Sequence, residues 1–483
     1  MFEIDKIIFV SAILILLGIA SSKLSAKFGL PVLVLFIIVG MLAGEEGFGG
    51  ITFNNAIVAH GFGTIALAII LFDGGLQTPM QSIKRVWKPS AGLATIGVLV
   101  TAAITGIVAM YALGLSLAEG LLIGAIVSST DAAAVFSIFR SAGIHLNYRL
   151  KATLEIESAS NDPMAIFLTI ALLEILMNDM KLGLEFLILF IKQLGIGLVV
   201  GLTIGKLAIH FINKSKLSAS GLYLVTVTAF GLLSFGLAST FGGSGFLSVF
   251  ITGVLLGNSN FKFKNGTLLF HDGLAWLGQI MMFVVLGLLI TPSSLLDVWL
   301  EGLCIALALI FIARPIATMP ILKIAGFSSK ESLFVSWVGL RGSVPIILAI
   351  FPLMFGLDGA EIIFNVVFFV VLISATMQGS TMGWVAKKLN IIVPAPSVAS
   401  ATLEITSIDE HDVELVEYVI EVKSKIAGRT LAQANLPEGV IVAMISRGAK
   451  ILTPRGSTTL TPNDHLFIVL EPESRPYVDN AFA

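Results

Sequence analysis

The sequence predicts an all-α polytopic membrane protein of about thirteen transmembrane helices, carrying a small α+β domain at its C-terminus. Three observations predict this. The 483 residues are 56% hydrophobic and only 12% charged, against about 25% charged in a soluble domain. Apolar runs recur at about 7–24, 31–44, 60–76, 90–113, 117–139, 150–177, 184–211, 219–240, 245–258, 268–290, 295–319, 331–355 and 360–385. Several are short for a full crossing, as tilted, broken or protein-buried helices are.

The third observation is the charge of the loops. Lys23 and Lys27, then Lys84, Arg85 and Lys88, then Arg140, Arg149 and Lys151 fall on one side. Lys214 and Lys216, Lys262 and Lys264, Lys323 and Lys330, and Lys387 and Lys388 fall there too. The intervening loops hold Lys181 and little else that is basic. The positive-inside rule then puts the N-terminus outside and the C-terminus in the cytoplasm, and an even number of spans would break the alternation. Met1 to Lys6 carry Glu3 and Asp5 without a basic leader, so the first run reads as a retained span. One cysteine, Cys304, excludes a disulfide framework and a cysteine metal cluster. A net charge of −2 leaves no basic face for nucleic acid.

The spans echo one another. Gly40 and Gly44 of the second span recur as Gly253 and Gly257 of the ninth, 213 positions on. Thr78-Pro79 after the third span recurs as Thr291-Pro292 after the tenth, at the same offset. Seven spans separate the copies, an odd number, so they lie in opposite orientations. Such inverted repeats place a substrate site at the midplane between the halves. Gly at i and i+4 also packs helices, and the shared offset of the Thr-Pro pairs is what favours a repeat. The small-residue stripe Gly197, Gly201 and Gly205 in the seventh span fits packing within or between protomers equally.

A repeat predicts one broken helix per half. Ser128-Ser129-Thr130-Asp131 interrupts the fifth span and Gly339-Leu340-Arg341-Gly342-Ser343-Val344-Pro345 the twelfth. Asp131 would offset the positive helix ends there and Arg341 the negative ones. The sixth span carries Glu157, Ser158, Asn161 and Asp162. Asp162 lies eleven residues past Lys151, roughly 16 Å into a ~30 Å core at ~1.5 Å per residue. A charge at that depth costs at least ~2.5–3.5 kcal/mol and marks a functional site by default. It can hold one monovalent cation or one proton. Asp162-Pro163 also reads as a helix start, with Asp as N-cap. Glu157 and Arg341 are expected to form a buried ion pair. Asp73, in Leu71-Phe72-Asp73-Gly74-Gly75-Leu76, is either a supporting carboxylate or a helix end. His60, His145, His210 and His271 make no metal spacing.

Thr130-Asp131, Glu157-Ser158-Ala159-Ser160-Asn161-Asp162-Pro163 and Gly339-Leu340-Arg341-Gly342 together resemble the NhaP-type branch of the cation/proton antiporters. Leu30-Pro31 leading into Gly40 and Leu42-Ala43-Gly44 resembles the second span of that family. The resemblance covers roughly residues 7–390 and implies a thirteen-span, dimeric fold with a mobile core domain. It implies that Asp162 binds K+ or Na+ and a proton in alternation. Ser158 and the Thr130 carbonyl would complete the monovalent-cation site, while Asn161 and Asp131 shape the crossing. Glu157 and Arg341 would be the stabilising pair, and Asp73 matches an acidic position that acts through water in some relatives. Asn161 stands where electrogenic relatives carry Asp, which implies one cation for one proton and no net charge moved.

From about Ser397 the register changes to ordinary charge density and strand-like runs at Glu417–Val422, Val440–Ile445 and His465–Leu470. Gly428-Arg429-Thr430-Leu431, Leu436-Pro437-Glu438-Gly439, Ile445-Ser446-Arg447-Gly448 and Leu460-Thr461-Pro462-Asn463-Asp464 resemble a TrkA-C (RCK C-terminal) domain, with Asn463 in place of its usual Gly. The expected division is a transporter over 1–390, a linker over 391–400 and a regulatory domain over 401–483. By family analogy that domain takes a nucleotide or other small-molecule effector; no cofactor is expected. With this appendage the chain most resembles the potassium/proton members of the NhaP group, which are often longer, and the resemblance implies a potassium/proton exchanger of the bacterial inner membrane. A sodium/proton exchanger of the same fold is the nearest alternative. An RCK-regulated channel would show a Thr-Val-Gly-Tyr-Gly-like filter, which is missing. A non-transporting sensor would not retain the buried charges. An enzyme is disfavoured, because no nucleophile constellation, paired metal ligands or phosphate-cradling Gly loop stands out.

Overall fold

A computed structural model of the chain describes residues 3–28, 32–53, 55–178, 183–215, 217–394, 414–420, 424, 426–437, 439–448, 450–470, 474 and 478. Leu30-Pro31, Lys181, most of the linker, and Val422 and Glu438 lie outside the described residues. Two compact units divide between Val393 and Pro394.

The first unit is helical. Its helices are α1 (Glu3–Phe28), α2 (Val32–Ala43), α3 (Ala56–Gln77), α4 (Met80–Gly92), α5 (Val98–Leu113) and α6 (Leu117–Ile126). There follow α7 (Ala132–Ser141), α8 (Tyr148–Asn178), α9 (Leu184–Lys214), α10 (Ser220–Thr240), α11 (Gly245–Gly257) and α12 (Lys264–Leu288). The last are α13 (Pro292–Asp297), α14 (Trp299–Ala308), α15 (Arg314–Ile324), α16 (Ser329–Trp337), α17 (Ser343–Phe355) and α18 (Ala360–Lys388). π-helical segments Leu93–Gly97 and Leu309–Ala313 join α4 to α5 and α14 to α15 without a break. With α6–α7 and α16–α17 each taken as one interrupted crossing and α13 as a connector, the described residues contain thirteen crossings. They coincide with the thirteen apolar runs.

Helix ends follow local chemistry and repeat across the halves. Ser116 with Glu119 and Ser328 with Glu331 form capping boxes at the starts of α6 and α16. Gly40 of α2 meets Gly287 of α12 backbone to backbone, and Gly75 of α3 meets Gly253 of α11 in the same way. A methyl at Gly40 would stand 2.2 Å from the Val284 carbonyl, and one at Gly253 would stand 2.5 Å from the Phe72 carbonyl. Gly40 and Gly253 are 213 positions apart and Gly75 and Gly287 are 212 apart, so one crossing maps onto the other to within one residue, as inverted repeats require. A second pair of contacts maps in the same way, Met80 onto Ser293 at 213 positions and Glu46 onto Asn258 at 212. Asn258 accepts from the Met80 amide after Thr78-Pro79, and Glu46 accepts from the Ser293 amide after Thr291-Pro292.

α8 does not start at Asp162. It runs unbroken through Pro163, so Asp162 is a mid-helix residue and the N-cap reading falls. Pro163 lacks an N–H and leaves the Ala159 carbonyl without its helical donor. The glycine stripe of α9 packs inside the chain, with Gly197 and Gly201 against the Ser244 and Ser248 carbonyls and Gly205 against the Leu255 side chain. Such approach leaves no room for a Cβ.

The second unit holds a four-stranded antiparallel sheet, β1 (Glu414–Val419), β2 (Ile441–Arg447), β3 (Lys450–Leu452) and β4 (Asp464–Leu470), in the order β1-β4-β2-β3. β1 begins three residues before the predicted strand, because Glu414 pairs with Leu470 at the end of β4. β3 was not predicted; three residues give too short a pattern to read. Ile420, Ile445, Leu466, Ile468 and Leu470 form the core. Asn463 adopts φ 69°, a left-handed conformation that Gly takes freely and Asn tolerates, so Asn serves at the position where the resembled pattern has Gly.

Candidate functional site

Two unwound segments lie side by side in the first unit. The Asp131 amide donates to the Leu340 carbonyl at 2.8 Å, tying the break between α6 and α7 to the break between α16 and α17. Each break exposes the negative end of one half-helix and the positive end of another. Arg341 answers the first, its Nη1 donating to the carbonyls of Ser128 at 2.7 Å and Ser129 at 2.5 Å at the end of α6. Asp131 answers the second, its Oδ1 accepting from the Ala134 amide at the start of α7. A Cβ at Gly342, just before α17, would stand 2.0 Å from Asp131 Oδ2, so the carboxylate lies against both positive ends.

α8 supplies the remaining side chains. Asn161 donates to Thr130 Oγ1 at 2.6 Å and accepts from the Thr130 amide at 3.3 Å, using both ends of a neutral amide. Ser158 donates to the Thr130 carbonyl at 2.8 Å and accepts from the Ala132 amide at 2.9 Å. Asp162, 5% exposed, follows Ser158 on the same face. Its Oδ1 is buried with no hydrogen-bond partner among the described residues. No basic side chain pairs with it there either. An ionised carboxylate so placed costs several kcal/mol unless a cation or a proton joins it. The Thr130 carbonyl and Ser158 hydroxyl offer the uncharged oxygens that a hard monovalent cation takes.

The expected Glu157–Arg341 pair is not what the structure forms. Glu157 pairs with Arg314 at 2.8 Å, and Arg314 also reaches the Val335 carbonyl near the end of α16. Arg341 instead gives its Nη1 to the carbonyls of Ser128 and Ser129. Each arginine therefore serves the negative end of one half-helix. Arg314 is the residue that sequence reasoning missed. The signal was present, since Arg314 stands nine residues before Lys323 inside an apolar span, about 14 Å deep at ~1.5 Å per residue.

Asp73 lies in α3, buried, with Oδ2 accepting from Gln77 at 2.7 Å and Oδ1 unpartnered among the described residues. The structure does not join it to Thr130, Ser158 or Asp162 by any hydrogen bond among the described residues. His271 is buried and hydrogen-bonds with the Thr267 carbonyl and the Thr228 hydroxyl. Among the described residues no group of three His, Cys, Asp or Glu side chains could hold a metal ion.

The family model "Sodium/hydrogen exchanger, transmembrane" matches residues 10–388, and "TrkA-C domain" matches 415–483. The K(+)/H(+) antiporter NhaP2 of Shewanella sp. (strain ANA-3) is 42% identical over 484 residues, covering 100% of this chain and 84% of that protein. The K(+)/H(+) antiporter NhaP of Alkalimonas amylolytica is 42% identical over 481 residues, covering 99% of this chain and 84% of its own length. The structure of the sodium proton antiporter MjNhaP1 from Methanocaldococcus jannaschii at pH 8 superimposes with a TM-score of 0.71 at 28% identity. It covers 80% of this chain and 99% of its own.

Proposed function

The chain belongs to the transmembrane sodium/hydrogen exchanger family, with a TrkA-C domain following, and from that premise we propose that it exchanges K+ for H+ one for one at Asp162. The observation that carries the reading is the bare, buried Oδ1 of Asp162, one turn along the same face of α8 from Ser158, whose hydroxyl holds the Thr130 carbonyl. Such a carboxylate holds a proton or a cation in turn, and each expels the other. Asn161 is neutral and satisfied on both sides, so one carboxylate titrates per cycle and no net charge crosses. The Arg314–Glu157 pair and Arg341 balance fixed charge around the site without taking part in it. Asp73 supports the site through water.

K+ is preferred to Na+ because the relatives that match the whole chain at 41–42% identity are K(+)/H(+) antiporters. The sodium alternative rests on the Na(+)/H(+) antiporter NhaH of Halobacillus aidingensis, 30% identical over 383 residues. The protein is a homodimer of the bacterial inner membrane, N-terminus outside and C-terminus cytoplasmic. Residues 1–390 transport, 391–400 link, and 401–483 regulate by binding a nucleotide or small-molecule effector.

Proton flux in proteoliposomes tests this, with K+ or Na+ added and Asp162→Asn compared with the wild type. K+-driven proton flux that Asp162→Asn abolishes, and that an imposed membrane potential leaves unchanged, is expected. Unchanged exchange in Asp162→Asn sinks the site, and a potential-dependent rate sinks the one-for-one stoichiometry.

A further inference from the structure

The unwound segment Gly339–Gly342 has a second side. Its Leu340 carbonyl faces the other break, accepting from Asp131, while its Arg341 amide turns the opposite way and donates to Ser374 Oγ of α18 at 3.1 Å. Ser374 in turn donates to Gln378 Oε1 at 2.5 Å, and Gln378 Nε2 donates to the Trp337 carbonyl at 2.7 Å. The Trp337 indole donates to Thr381 Oγ1, one turn further along α18, at 3.1 Å.

Every donor in this chain has a fixed direction. The Arg341 amide can only donate and the Trp337 carbonyl can only accept, so the Ser374 hydroxyl must give its proton to Gln378, and the Gln378 amide must turn its nitrogen to Trp337. Ser374 and Gln378 are both fully buried, so no water can replace them. α18 therefore satisfies one orphan carbonyl at the end of α16 and one orphan amide in the unwound segment with a single relay. The segment is held from both sides, by α18 behind and by the Thr130–Asp131 break in front.

We propose that Ser374 and Gln378 are positioning residues for exchange, holding the unwound segment around Arg341 so that the Ser128–Asp131 oxygens keep the geometry Asp162 needs to bind a cation. The proposal rests on the exchange reading above. Neither residue touches the cation; each acts through the backbone it fixes.

The test is the dependence of proton flux on K+ concentration in proteoliposomes of the full chain. Wild type, Ser374→Ala, Gln378→Met, Ser374→Thr and Asp162→Asn are compared, with thermal melting to normalise for folded protein. Ser374→Ala and Gln378→Met are each expected to raise the KM for K+ about fivefold, the scale of one buried hydrogen bond left unmade, with maximal rate per folded transporter little changed. Ser374→Thr, which keeps the hydroxyl, is expected to restore the wild-type KM. KM values for Ser374→Ala and Gln378→Met within about twofold of wild type, with rate lost only in step with the folded fraction, would overturn the proposal. Wild-type protein without K+-driven flux, or full flux in Asp162→Asn, would instead overturn the exchange reading, and the proposal with it.

Discussion

The Arg314 guanidinium donates to the Glu157 carboxylate at 2.8 Å, with both side chains almost wholly out of solvent. The bond joins α15, immediately after a π-helical segment, to α8 one turn before Asn161. Breaking such a pair from one side strands a charge. Glu157→Gln and Arg314→Met are each expected to destabilise the fold by about 3–5 kcal/mol, and the double variant to regain much of that loss. Thermal melting in detergent reads it; additive losses in the double variant would show that the pair is not a unit.

Ser158 has two partners and cannot keep both without its hydroxyl. Ser158→Ala orphans the Ala132 amide and frees the Thr130 carbonyl. K+-driven exchange is expected to persist with KM raised about tenfold, the cost of a buried donor left unpaired. Flux titrations against K+ at fixed pH give the value, and a wild-type KM would remove Ser158 from the site.

The glycine crossings admit no side chain. Gly253→Ala puts a methyl 2.5 Å from the Phe72 carbonyl, and Gly287→Ala puts one 2.4 Å from the Ile37 carbonyl. Backbone cannot step aside as a side chain can, so each is expected to cost about 1–3 kcal/mol or more. Gly266→Ala, with open space around it, is the control. Equal melting temperatures for all three would contradict the close packing.

In the second unit, burial alone would raise the Asp464 carboxyl. The Arg447 guanidinium and the amide and hydroxyl of Thr461 outweigh it and hold the group below its ordinary range. A depressed folded value stabilises the fold above the unfolded pKa of about 3.9 and ceases to do so as pH falls through the folded value. The protection factors of amides in β1 and β4, which divide out the intrinsic exchange rate, are therefore expected to be flat above about pH 5 and to fall below about pH 4. Asp464→Asn should abolish that acid step and cost about 1–3 kcal/mol at neutral pH. An acid step of unchanged size in Asp464→Asn would assign it to another group.

Much of the fold was legible because a bilayer imposes a coarse and strict code. Apolar length, loop charge and a constant offset between Gly40 and Gly253 required nothing beyond the chain to be read. The broken helices were legible too, since Ser128–Asp131 and Gly339–Pro345 interrupt spans that are otherwise apolar. β3 and the start of β1 were not, because a strand in a small sheet is defined by the neighbour it pairs with.

The sequence by itself determined the thirteen crossings, the inverted halves and the place of Asp162 within the sixth span, all of which depend on local composition and spacing along one chain. Only the tertiary structure decided which buried arginine meets Glu157. Arg314 and Arg341 lie at similar depths, and depth is all that counting supplies. The choice falls to the direction in which each guanidinium leaves its helix. Arg341 has its backbone amide on Ser374 and its side chain on the Ser128 and Ser129 carbonyls, while Arg314, directly after a π-helical segment, has its side chain on Glu157.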